Sequence, residues 1–405
     1  MVHQHLRPVD KRGLNMFEAP KNDTVKYTGF KLGWGASFTQ QFQDLHHRNS
    51  AAPNVVNDVD QNQLIRIGAG FNNAVANLYL NAQMADGIRV AVTTYMSSRH
   101  HDETWVKDGY LLVDKLPFDN ALLDRVMKVV TVKVGHFEVN YGDQHFRRSD
   151  NGNTIYNPFV GNLIMDAFTT EIGGEIYLRS NGWLAMGGVT GGEVHGQVTA
   201  PEKRAPSYLA KLGVDKQLSP DLRVRLTGSM YTTRKSASNT LYSGDRAGSR
   251  YYDVMENTQS SESSQAWSGA LQPGFRSSVT AFVVNPFVKF HGLELFGNIE
   301  TARGAAATET VKRTWDQYAG DVVYRFLPNE QLYVGARYNT ASGKLAGIPN
   351  DVSVDRVQIA GGWFITSGIL AKVEYVDQKY HDFPVTDIRH GGRFHGVMVE
   401  GAVSF

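Results

Sequence analysis

Cysteine is absent from all 405 residues, which excludes disulfides, CxxC redox pairs and thiolate metal sites and suits a compartment where stray thiols would oxidise. Neither sign of charge is in excess. Lys and Arg number 41 against 40 Asp and Glu, for a formal net charge of +1, so the cationic surplus that nucleic acid requires is missing. No run of about 18 apolar residues occurs, which excludes a transmembrane helix. The G-x-S-x-G, H-E-x-x-H, Walker and G-x-G-x-x-G signatures are also lacking, and no catalytic role is assigned. The stretch DVDQN places Asp58, Asp60 and Asn62 like the opening of a calcium loop, but Gln63 stands where the sixth position needs Gly. The neighbouring pairs His46–His47 and His100–His101 point to opposite faces on a strand and are read as surface residues. No metal and no cofactor is assigned. The start, MVHQHLRPVDKRG, is positively charged but has no apolar stretch, so it is not an intact secretory signal; the chain either stays in the cytosol or has had a signal removed.

What the chain does have is glycine, 40 residues, and aromatics at 11%. Apolar residues alternate in short runs broken by Gly, Asn, Asp, Ser and Pro, the pattern of strands and turns. Seven connections are short: 84–88, 116–125, 179–183, 218–222, 290–294, 327–331 and 366–370. The others, near 45–61, 99–104, 141–165, 191–205, 233–277, 303–314, 341–352 and 381–393, are mostly longer and polar. The two sets alternate strictly, as in an up-and-down barrel with tight turns on one rim and display loops on the other.

The expected fold is therefore all-β: a closed up-and-down antiparallel transmembrane β-barrel of about 16 strands. The strands are expected at 24–44, 62–83, 88–98, 105–116, 125–140, 167–178, 183–190, 206–217, 222–232, 278–289, 293–302, 315–326, 331–340, 353–365, 369–380 and 394–405. Residues 24–405 form the barrel. Residues 1–23 show no strand period and form a periplasmic lead or a plug.

The two faces of the strands differ in chemistry. Leu222, Val224, Leu226 and Met230 share one face, with Arg223, Arg225, Thr227 and Ser229 on the other. Val357, Ile359 and Trp363 likewise oppose Arg356 and Gln358. An apolar exterior and a polar lumen follow, with membrane lipid as the surrounding partner. Aromatic belts are expected from Phe118, Trp183, Phe290, Phe326, Trp363 and Phe405 beside the short turns, and from Trp105, Trp315, Tyr380 and Phe394 beside the long loops. The chain ends in VMVEGAVSF, which puts Phe405 on a closing strand.

That ending resembles the C-terminal signature of Gram-negative outer-membrane porins, and the strand count and loop alternation over 24–405 resemble the same proteins. The stretch VKVGHFEVNYGDQHFRRSDNGNTIYNPF is similar to the phosphate-selective porin family, in which the third long loop folds inward. The resemblance implies an outer-membrane location, passive diffusion of small hydrophilic solutes and a homotrimer. A substrate-selective channel for phosphate or other small anions, and a non-conducting scaffold of an envelope complex, are the alternatives.

The inferred pore lining comprises Lys31, Arg89, Lys133, Lys211, Arg223, Arg225, Arg325, Arg337, Arg356 and Lys372, opposed by Glu171, Glu175, Asp215, Glu294, Glu300, Asp321, Glu374 and Glu400. Opposed charges across a wet channel create a transverse field, and the small cationic excess favours anions weakly. The third long loop, 141–165, is the candidate constriction, with Asp143, His145, Arg147, Arg148 and Asp150. Folded inward, its adjacent arginines would offer charge-assisted hydrogen bonds to anions; folded outward, they are solvated. Loop 233–277 is a gate, a trimer contact or a surface epitope.

Overall fold

The computed structural model describes residues 3–19, 21, 25–98, 104–148, 151–166, 168–193, 201–246, 250–261 and 269–405. One antiparallel sheet closes on itself. Its wall is sixteen strands: β1 (Lys31–Arg48), β2 (Val75–Ala85), β3 (Ile88–Ser97), β4 (Thr104–Val113), β5 (Val130–Glu138), β6 (Thr170–Ser180), β7 (Trp183–Glu193) and β8 (Ser207–Gln217), then β9 (Leu222–Thr233), β10 (Ser278–Phe290), β11 (Leu293–Ala305), β12 (Arg313–Phe326), β13 (Leu332–Gly343), β14 (Val352–Thr366), β15 (Ile369–His381) and β16 (Arg393–Ser404). Each strand pairs with its neighbours in the chain, and β1 also pairs with β16 from Ser37↔Ser404 to Arg48↔Arg393. Beyond the end of β16 the seam adds two backbone bonds, Phe405 N to Ala36 O at 3.0 Å and Ala36 N to Phe405 O at 3.1 Å. The expected up-and-down barrel is what forms.

Tight turns arise where the sequence supplies them. Asn181 and Gly182 both adopt positive φ, 51° and 81°, the two-residue geometry whose twist suits a hairpin. Three strand starts differ from expectation by more than three residues. The first strand begins at 31, not 24. The second begins at 75, not 62, because the alternating apolar stretch around Leu64 bonds to the long loop: Leu64 bridges Asn257, and Ile65 N donates to Glu256 O at 3.0 Å. The fifth begins at 130, not 125, because Ala121–Met127 forms a short helix whose first amides, Leu122 and Leu123, are capped by the Asn120 side chain.

The outer surface is apolar along the strands. Leu226 is exposed while Arg225 and Thr227 are buried, and Ile359 is exposed between buried Gln358 and Ala360. At the seam, Trp34 (71% exposed) and Phe405 (64%) pack edge to face outside the barrel with centroids 6.1 Å apart. Phe118, Trp183, Phe290 and Trp363 are exposed near the same rim. The belt expected on the opposite rim is corrected. Trp315 and Phe394 are 0% exposed and Tyr380 is buried, and all three lie inside. The strands extend past the apolar band, and these three positions carry the inward parity, so their rings meet the loop filling instead of lipid. Trp105 packs against Tyr95 and Phe168, both buried. Exposed rings toward the long-loop rim include Phe71, Tyr208, Phe282, Tyr318 and Tyr338.

An exterior of this kind needs hydrocarbon around it, because water would face a continuous apolar band far larger than a monomeric protein exposes. No helix among the described residues is long and apolar enough to cross a membrane; the strands do the crossing. Leu226→Arg should reduce folding stability by about 2–4 kcal/mol, read from urea titrations of vesicle-folded protein. An unchanged midpoint would place that face in water.

Candidate pore and its filling

After β5 the chain turns inside the barrel instead of leaving over the rim. Gly142 makes the turn at a φ of 71°. A Cβ there would meet Val283 Cγ1 at 3.1 Å and Asn285 Oδ1 at 3.3 Å, so the backbone lies directly on β10. The Asn285 Oδ1 accepts the Asp143 amide at 2.8 Å. The Asp143 carboxylate, wholly buried, then accepts from Arg225 Nε and Nη2 and from the Thr227 hydroxyl, each at 2.8 Å. Lys211 Nζ lies 2.7 Å from it. One loop carboxylate thus fastens the third loop to β8 and β9 through two cations that would otherwise face each other in a low-dielectric interior.

From this latch the loop runs along one side of the wall. Arg147 meets Glu294 on β11 at 3.3 Å, and its guanidinium sits 5.1 Å from the Phe296 ring. Arg148 reaches Asp245 of the long loop at 2.9 Å. Both guanidiniums are buried and engaged with carboxylates of the protein, so they brace the filling. His145 contacts Asn140 Oδ1 at 3.2 Å and Glu138 at 3.9 Å. Asp150 lies outside the described residues. Further on, Val160 N donates to Glu374 at 2.7 Å, Arg356 donates to the Asn162 carbonyl at 2.8 Å, and Thr154 bonds Thr39 of β1 at 2.6 Å.

Two other segments share the lumen. The long loop lies on the third: Asp166 N donates to Leu241 O (2.9 Å), Gly244 N to Ile164 O (3.2 Å) and Leu271 N to Leu163 O (3.1 Å). Tyr242 and Tyr251 donate from it to Glu300 and Glu374 at 2.5 and 2.6 Å. Residues 3–19 lie inside at the short-turn end. Gln4 N donates to Gln83 Oε1 (3.1 Å), Lys11 N to Ser367 O (2.8 Å), and Glu18 meets Arg225 at 2.9 Å and Lys211 at 3.1 Å. Phe17 packs edge-on against Phe146 and Phe287.

The charged residues inferred from strand parity are placed on the inward side, and most are paired. Arg223 meets Asp215 at 2.7 Å, Arg325 meets Glu294 at 2.7 Å, Arg337 meets Asp321 at 2.6 Å and Lys372 meets Glu400 at 2.6 Å. Lys133 reaches Glu175 at 3.4 Å, and Tyr231 donates to Glu171 at 2.5 Å. Arg89 donates to Asn81 at 2.8 Å and Arg356 to Gln378 at 2.6 Å. Lys31 is half-buried at the foot of β1.

Several participants escaped the sequence reading. Arg7, Phe17 and Glu18 sit in a segment without periodicity. Lys107 faces inward because the β3–β4 register shifts at Thr93/Thr94, which breaks simple alternation. Arg179 carries the inward parity of Glu175 and Tyr177, but β6 runs to Ser180, past the expected end at 178. With the filling packed against the β8–β16 side, a cavity of about 240 Å³ remains along β2–β6, bounded by residues 6–19 and by His145, Phe146 and Tyr156.

The latch titrates. Burial alone would raise the Asp143 and Glu18 carboxyls, but the Lys211 and Arg225 charges outweigh it and both lie below the usual carboxylate range. Burial lowers His145, with Glu138 opposing. All three groups therefore bind protons more readily when the loop is released. Seating is at full strength above about pH 6.5, weakens first as His145 charges, and weakens further below about pH 4 as the carboxylates protonate. Hydrogen exchange of 141–165 should accelerate in that order. Asp143→Asn should accelerate it at neutral pH by loosening the seat by about 3 kcal/mol, since Glu18 still serves both cations; unchanged exchange would remove the latch role.

No family model and no curated protein matches the sequence. Among solved structures, the chain is similar to the trimer form of in-vitro folded OmpT, an outer membrane protein of Vibrio cholerae (TM-score 0.52, 13% identity, 93% of this chain and 100% of that one). It is similar to an anion-selective porin from Comamonas acidovorans (TM-score 0.54, 10% identity, 93% and 100%). It also resembles the outer membrane channel DcaP of Acinetobacter baumannii (TM-score 0.53, 11% identity, 94% and 99%). Identities this low carry the architecture alone, and the narrower likeness to phosphate-selective porins gains no support from them. The architecture shared over nearly the whole chain is that of Gram-negative outer-membrane barrels.

Proposed function

We propose that the protein is an outer-membrane channel through which small hydrophilic solutes and ions diffuse passively, leaning weakly to anions, and that it assembles as a homotrimer. The observation that carries this reading is the cavity along β2–β6. Inside a closed barrel whose other side is packed by two loops, a space lined by charged and aromatic side chains stays open next to the third loop. Arg89, Lys107, Lys133 and Arg179 line it together with Glu138 and Asp108, which supports the lean to anions. Asp143 and His145 hold the loop that bounds the route, and the strand charges on the far wall hold the filling. The trimer rests on fold analogy with the OmpT trimer form.

A second reading has its own support. Residues 3–19 run from Gln83 on β2 to Ser367 at the β14–β15 turn and on to Arg225 on β9, which crosses the short-turn mouth. A barrel so filled would serve as a non-conducting scaffold. The fold by itself is also compatible with an enzyme, and no residue here is assigned that role.

Single-channel recording of the full chain in planar bilayers separates the readings. Ohmic steps with a modest anion preference are expected. Small, saturable anion currents would instead mark a substrate-selective channel for phosphate or other small anions, and silence at every voltage would favour the scaffold.

A further inference from the structure

Three arginines on the β2–β6 cavity, among the described residues, have no carboxylate partner. Arg7 donates to the carbonyls of Gly13 (3.0 Å) and Phe146 (3.2 Å). Arg89 donates to Asn81 Oδ1 (2.8 Å) and to the His5 carbonyl (3.3 Å). Arg179 donates to the Ala19 carbonyl and to the Thr131 hydroxyl, the latter at 3.0 Å. The Nε atoms of Arg89 and Arg179 are buried without an acceptor, and Arg89 is only 4% exposed. On the far wall the rule is different. Arg223, Arg225, Arg325 and Arg337 each hold a carboxylate, and the exception, Arg356, is sealed by Gln378 and the Asn162 carbonyl.

The acids on the same cavity do not make up the difference. Glu18 is taken by Arg225 and Lys211, and Glu138 by Lys107 at 2.5 Å. Asp108 accepts the Glu138 amide at 3.2 Å. A buried guanidinium served only by neutral oxygens is costly to hold, and a carboxylate entering the cavity would supply a strong charge-assisted acceptor. The lining also carries six aromatic rings, Tyr79, Tyr110, Tyr177 and Phe17 beside Phe146 and Tyr156. Arg7 already stacks 3.9 Å above the Tyr156 ring, which shows that these faces accept a flat partner. Size agrees, since an apolar cavity of about 150 Å³ takes up benzene, and this one, at about 240 Å³, has room for a ring and a carboxylate.

We infer that this cavity is a binding site for a single-ring aromatic carboxylic acid, held by Arg89 and Arg179 with Arg7 as the third cation and by tyrosine ring faces. The inference deepens the channel reading by naming a solute class, and binding can be measured without conductance. Titration calorimetry on the detergent-solubilised full chain should show one saturable site for benzoate, with acetate, inorganic phosphate and the uncharged analogue benzyl alcohol each at least about tenfold weaker. Arg89→Gln should weaken benzoate by about tenfold or more. Arg179→Gln, at a less buried position, should do the same with less risk to folding, and circular dichroism with heat-modifiable gel mobility certifies both variants. The inference falls if benzoate does not bind, if acetate or phosphate binds as tightly, if benzyl alcohol does, or if folded Arg179→Gln binds benzoate like the parent. Benzoate binding to a barrel silent in bilayers would retain the site and refute the channel; conduction without benzoate binding would do the reverse.

Discussion

The ladder of backbone hydrogen bonds between β1 and β16 permits everything else in this molecule. An open sheet in hydrocarbon would leave two edges of unpaired amides and carbonyls, each group costing several kcal/mol. Pairing from Ser37↔Ser404 to Arg48↔Arg393, completed by Phe405 and Ala36, leaves none. Once the backbone is satisfied by its own ring of strands, the outward side chains are free to be wholly apolar and the inward ones to be polar. The Trp34–Phe405 pair on the seam is the outward half of that bargain; Gln41 donating to Glu400 at 2.8 Å is the inward half.

Inward polarity then creates a second constraint. Charged groups drawn out of bulk water need partners, and a wall of single strands cannot supply all of them. Asp143 and Glu18 come from the third loop and the N-terminal segment to meet Lys211 and Arg225. Asp245 comes from the long loop to meet Arg148. The filling and the wall are therefore one electrostatic structure, and the side chains that could have coated a wide aqueous lumen instead hold that lumen partly closed. The asymmetry has a physical origin: the carboxylates brought by the loops and the N-terminal segment are spent on β8, β9 and the third loop, so the arginines of β3 and β6 keep neutral partners beside the open space.

Strand parity was the most legible feature. Leu226 outside and Arg225 inside follow from a period of two and need no knowledge of neighbours, and the short turns around Asn181–Gly182 announce themselves by residue type. Where the rule failed, long-range partners overrode local pattern. Leu64 alternates like a strand residue but bridges Asn257. Lys107 turns inward at a register shift. Trp315 and Phe394 belong to strand ends by sequence, yet the loops that cover them come from elsewhere in the chain, and no local signal places those loops inside.

Period and composition alone thus determined a closed barrel of this strand number, its apolar exterior and the inward direction of its charged residues, because a strand's two faces are set by covalent geometry. Which charges pair, where the third loop and residues 3–19 lie, and which wall keeps an open cavity were decided only by the tertiary structure. Those outcomes depend on contacts between positions more than a hundred residues apart, such as Arg225 with Glu18 or Val160 with Glu374, whose strength comes from burial that a linear sequence does not display.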